Sequence, residues 1–225
     1  MREIPTPRVM PIDYPAMCPP WLDEMPEDFS GFRPKQAKQF LEWYVSESSS
    51  RLELLLSAVR ASDGPIDHLN FSYASCDLLW EWATQFFSVI PLPESEAKAL
   101  RGQYPWHVAE DLALTDFALP GHWNKVLAPD IGFYVFEVFR HDHRIVDWGI
   151  AELRLKVPSR RAPAIFGFSM SSIRIIPFFD FREDASYYVK ETLNPSPHRK
   201  YLLSQTLRNQ ASYLERVPTK GQPDS

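Results

Sequence analysis

The chain has 225 residues, 44% of them hydrophobic and 14% aromatic, with a net charge of -5 and a pI near 5.7. This is the composition of one packed globular domain with an aromatic core, and it excludes wholesale disorder. The acidic balance argues against nucleic acid as a partner, because phosphate binding needs clustered Lys and Arg, and leaves room for a basic protein partner.

Only Cys18 and Cys76 are present, without a CxxC spacing, and both read as reduced thiols. The N-terminus has no apolar signal core and no stretch has the uninterrupted apolar length of a membrane span, so a cytoplasmic location is expected. Prolines number 21 against 8 glycines, and there is neither a GxGxxG turn nor a GxxxxGK loop. No nucleotide-type cofactor is therefore expected on the common scaffolds.

Residues 1–34 are punctuated by eight prolines, which forbid a regular helix and remove ladder donors from a strand. They read as an extended arm. Its Tyr14, Trp21, Leu22, Phe29 and Phe32 are too apolar for a free tail, so the arm is expected to lie on the body of the domain, residues 35–217; the alternative is that it waits for a partner. Pro34 suits a first helical turn, and Ala37, Phe40, Leu41, Tyr44, Leu52, Leu55, Leu56 and Val59 recur at helical spacing. A helix to about Ala61 follows, stopped by Asp63-Gly64-Pro65, with a break or phase shift open at the serines of 46–50.

A second helix is signalled by Asn70 or Ser72 as cap and by Ala74, Leu78, Leu79, Trp82, Ala83, Phe86 and Phe87. Trp80 and Trp82 sit about 200° apart on it, so at least one is expected outside the core that holds the other. Glu94 to Leu100 suggests a short helix, and the stretch after it carries Trp106 in a Tyr-Pro-Trp sequence. The apolar run from Asp130 to Arg140 fits helical and strand periods alike; its length and the Pro129-Asp130 entry favour a buried helix capped by Asp130.

Strands are expected at 145–155 and 164–168, and 173–181, broken by Pro177, suits an edge strand or an irregular turn. Helices over 183–193 and 198–214 follow, then a polar tail, 218–225, expected to be mobile. The fold class is α+β: a mainly helical single domain with a small antiparallel sheet and a Pro-rich N-terminal arm.

Candidate chemistry centres on that apolar run. Glu137 stands among phenylalanines, where burial raises a carboxyl pKa towards general acid–base use; the alternative is a core acid paired with Arg51, Arg140 or Arg174. His141 and His143 follow at once, but ligands at i and i+2 do not converge on one helix face and no third ligand is marked. They suit the C-terminus of the preceding helix, and no metal is expected. The basic residues Arg154, Lys156, Arg160 and Arg161 read as a solvated face. Trp80, Trp82, Trp106 and Asp130 are the candidates for binding, against core membership for most of them.

Three stretches carry a resemblance. They are Phe32-Arg33-Pro34-Lys35-Gln36-Ala37-Lys38-Gln39-Phe40-Leu41-Glu42-Trp43-Tyr44-Val45 with Arg51 to Leu55, then Asp130 to Phe139 with Trp148, and Pro163 to Phe168. Together they resemble a loose group of uncharacterised bacterial proteins found among the immunity proteins of polymorphic toxins. The resemblance implies an α+β domain without established enzymatic activity and carries over no catalytic residue. The expected function is a cytoplasmic binding protein that neutralises a toxin by direct contact; the alternative is a hydrolase using Glu137 with His141 or His143, with or without a metal.

Overall fold

In the computed structural model, residues 6–26, 28–91, 95, 118–142, 146–153, 159–167, 174–177, 180–181, 184–185 and 203–212 are described. Among them are four α-helices and two small antiparallel sheets, a mainly helical α+β fold. The order is α1 (Pro34–Ala61), a 3-10 turn (Ile66–His68), α2 (Tyr73–Ala83), β1 (Val89–Pro91), β2 (Ala118–Pro120), α3 (His122–Asp142), β3 (Asp147–Ile150), β4 (Pro163–Phe166) and α4 (Leu203–Ala211).

Helix α1 begins as its sequence dictates, with Pro34 in the first turn and the Gln36 side chain accepting the Arg33 amide at 2.9 Å. The serines do not break it. Ser46, Ser48 and Ser50 donate to the carbonyls of Trp43, Val45 and Glu47, so their hydroxyls are satisfied within the helix and the stripe Phe40, Tyr44, Arg51, Leu55 and Ala58 stays in phase. The helix ends where Asp63 adopts φ 56 and Gly64 donates to the Val59 carbonyl at 2.8 Å.

Ser72 caps α2, exchanging bonds with Ser75, which occupies the place of the usual Glu or Gln. Asp77 reaches from α2 to the first turn of α4, accepting the amide of Ser204 at 2.8 Å and its hydroxyl at 2.5 Å. A carboxylate at a helix N-terminus meets free amides and the positive end of the dipole, so this contact holds α4 against α2.

Helix α3 is the centre of the molecule. It packs on α1 and α2, and between Val126 and Phe139 every residue except Glu137 is buried. A helix apolar on all sides belongs in a core. It begins well before the expected Asp130 cap, and Pro129 lies inside it. An internal proline costs a helix about 3 kcal/mol, which the burial of this whole segment offsets. Gly132 is required by packing: a Cβ there would sit 2.3 Å from Cβ of Pro177.

Strands β3 and β4 pair antiparallel in the register Asp147 with Phe166 through Ile150 with Pro163. Ile175 extends this sheet through a bridge to Ile165, so among the described residues the expected edge appears as one bridge, two residues before Pro177. The pairing of β1 with β2 was not expected from the sequence, since each is three residues long and carries a proline. Arm residues Met10, Tyr14, Met17 and Phe29 are buried, the first two in the cluster of α2, α3 and α4, the others in that of α1 and β4. Expectations for 94–100, 183–193, Trp106, His143, Arg154, Lys156 and the tail 218–225 fall, apart from Ser95, Asp184 and Ala185, outside the described residues.

Candidate functional site

The polar centre of the described structure joins three elements distant in sequence. Arg51 on α1, Asp130 on α3 and Tyr14 on the arm are 6%, 0% and 4% exposed. Nε and Nη2 of Arg51 donate to the two oxygens of Asp130 at 3.0 and 2.6 Å, the paired geometry in which a guanidinium fork matches a carboxylate. The Tyr14 hydroxyl donates to Oδ2 of the same carboxylate at 2.5 Å, and the Arg51 guanidinium lies 5.2 Å from the Tyr14 ring centroid. The remaining Arg51 donor, Nη1, reaches the carbonyl of Pro15 at 2.9 Å.

Two turns before Arg51 on the same helix, the Tyr44 hydroxyl donates to the carbonyl of Pro129 at 3.2 Å, and its ring stacks on Phe133 at 4.4 Å. Both α1 side chains therefore hold adjacent residues of α3. Each carboxylate oxygen of Asp130 has a donor, and the arm closes the network from outside.

Burial pushes the Asp130 carboxyl above its ordinary range, while the bonds from Arg51 and Tyr14 pull it back down. The phenols are affected more simply: desolvation and the Asp130 charge hold Tyr14 and Tyr44 well above the usual tyrosine value. Tyrosines with a raised folded-state pKa contribute stability that is complete below about pH 10, the unfolded value, and lost as pH rises through the folded one. Urea midpoints measured from pH 8 upwards should therefore fall steeply past about pH 10, and Tyr14→Phe should flatten that fall. An unchanged slope in the variant is the contrary result.

The sequence-marked residues fall elsewhere. Asp130 is not an N-cap but lies about two turns inside α3, because the helix starts at His122. Glu137 is not a core acid: its side chain is 30% exposed and pairs with Arg140 one turn on, at 2.9 Å. His141 is exposed in the last turn of α3 beside Arg140, where positive charge meets the free carbonyls. Glu137 and His141 share one end of the helix and are remote in role from the Asp130 network.

Trp80 and Trp82, expected in different environments, are 2% and 1% exposed and belong to one core cluster. Cys76 is buried beside them on α2, and burial pushes its thiol up, so it is an inert core residue. Among the described residues, no three His, Cys, Asp or Glu side chains converge as metal ligands, and no helix is long and apolar enough to cross a membrane.

Sequence reasoning missed the partnership of Arg51 with Asp130. The signal was the stripe itself: Arg51 falls on the buried stripe of α1, two turns after Tyr44 and one turn before Leu55, and a charge there requires a buried counter-charge. Compared with known proteins, the chain matches no family model, no curated protein and no solved structure.

Proposed function

We propose that this chain is a binding protein of the immunity type, which neutralises a toxin by covering its working surface. The observation that carries the reading is the state of Asp130. This carboxyl, raised by burial, has no exposed surface, and both of its oxygens are already engaged. A carboxylate so placed joins α1, α3 and the arm and presents nothing to a substrate. The acidic exterior, at net charge -5, suits association with a basic protein by electrostatic complementarity. The sequence resemblance to immunity proteins points the same way.

The test is co-expression with toxin-like products of adjacent genes. Restored growth and a stable complex on size exclusion are expected, and no protection by the intact chain against any neighbour sinks the reading. Glu137 lies at the surface, where an ion pair with Arg140 contributes about 0–1 kcal/mol, so Glu137→Gln should leave both stability and protection nearly unchanged. A stable Glu137→Gln variant that no longer protects would move the function to that end of α3.

A further inference from the structure

The arm has an uneven outer face. From Val9 to Phe32 it carries Asp13, Asp23, Glu24, Glu27 and Asp28 and no Lys, Arg or His. Asp13, Asp23, Glu24 and Asp28 are exposed, while Met10, Tyr14, Met17 and Phe29 turn into the core. Trp21 does neither.

Its indole is 44% exposed and meets Trp43 of α1 edge-on, with ring centroids 6.0 Å apart. The backbone beneath it is fixed: Leu22 donates its amide to the Pro19 carbonyl at 3.0 Å, and the Cys18 thiol lies 3.5 Å from the Leu22 carbonyl. Asp23 and Glu24 lie close enough to Cys18 to add to the burial that raises its thiol pKa. Glu42, next to Trp43, adds another carboxylate, held only at 3.8 Å by an exposed Lys38.

A single exposed apolar residue is ordinary on a protein surface. Here the exposed indole is backed by a second one and followed closely in the chain by the exposed acids Asp23 and Glu24, a combination suited to an interface anchor beside a charged rim. The sign of the rim decides among occupants. A second copy of the chain would bring carboxylates against carboxylates, and nucleic acid or an anionic membrane would be repelled.

We propose that Trp21, supported by Trp43 and rimmed by Asp23, Glu24 and Glu42, is the centre of a docking surface for a basic protein. The partner's complementary feature is an apolar recess for the indole, bordered by Lys and Arg. This assignment rests on the binding-protein reading above and names the surface that would carry it.

The probe is a synthetic peptide of alternating Lys and Leu, titrated into isotope-labelled full chain while the tryptophan indole N–H resonances are followed. An alternating Glu and Leu peptide is the control. The Trp21 and Trp43 signals should move with the Lys peptide alone, and the effect should weaken as salt is raised. Affinity should fall about tenfold in Trp21→Ala and about as much in the double variant Asp23→Lys, Glu24→Lys, whose exposed sites leave the fold intact. Unmoved indole signals, or wild-type affinity in the charge-reversed variant, overturn the assignment. So does a dimer in light scattering that Trp21→Ala dissolves, or binding of the chain to phosphatidylcholine vesicles through Trp21. In the co-expression assay, protection that survives both variants overturns this surface and leaves the immunity reading standing; absence of protection by the wild-type chain overturns that reading alone.

Discussion

Arg51→Met should destabilise the protein by about 3–5 kcal/mol at neutral pH, the cost of leaving a buried charge without its partner. Asp130 has no exposed surface and, of the donors that now hold it, would keep only the Tyr14 hydroxyl. Its carboxyl, already raised by burial, then loses the larger of the two influences that pull it back down, with only the Tyr14 bond remaining. The sign of the pH dependence follows. A carboxyl whose folded-state pKa stands above the unfolded value, about 3.9, makes the native state bind more protons than the unfolded chain, so stability is lost as pH rises through the folded value. The deficit of Arg51→Met should therefore shrink on acidification from neutral pH. Adding Asp130→Asn removes the stranded charge while retaining an acceptor for Tyr14, so the double variant should be more stable than Arg51→Met alone. Strict additivity of the two losses in urea unfolding would show that the residues do not act as a pair. Loss of the Arg51 bond to the Pro15 carbonyl should also loosen the arm, read as faster proteolysis between Val9 and Phe32.

The same pair marks the boundary of what the sequence discloses. The 3.6-residue spacing placed α1 almost to the residue, Ser72 as the cap of α2 was legible because its hydroxyl bonds its own neighbours, and the strands around Trp148 and Ile165 were marked by β-branched and aromatic residues between prolines. All of these are local signals. Arg51 and Asp130 are separated by 79 positions, and a local rule gave Asp130 a local role. Pro129 reinforced the error, because proline is a common helix opener and only full burial of α3 allows it two turns inside. The site is thus half-visible: the sequence marks the right helix and one of its acids, and Arg140 is among the partners it offers Glu137, but the helix turns that pair outward instead of into the core. The arm is legible only in outline. Its aromatics mark it as lying on the body of the domain or awaiting a partner, but they do not show which one stays outside, and Trp21 alone remains substantially exposed among the large aromatic residues described.

Trp82→Ala should cost about 3–5 kcal/mol, the loss for truncating a large aromatic in a packed core. A Trp82 facing solvent would lose no more than about 0.5 kcal/mol, so the measurement separates the two readings of the Trp80-Glu81-Trp82 sequence. The geometry favours the larger figure. Trp82 faces the turn after α1, where its Nε1 donates to Ser62 Oγ at 2.7 Å and its ring meets Phe86 at 5.1 Å. Gly64 leaves it room, since a Cβ there would fall 2.7 Å from Cδ1 of Trp82. Trp80 points the other way and meets Phe87 at 5.3 Å. Two residues about 200° apart on a helix can share a core when that helix is covered on nearly all sides, and α2 keeps only Ala74 and Glu81 fully exposed. Trp82→Phe retains much of the apolar volume, and Ser62 still donates to the Ala58 carbonyl, so its loss should be smaller than that of Trp82→Ala. Equal losses for the two would mean that the indole N–H bond to Ser62, rather than the filled volume, holds α2 against the end of α1.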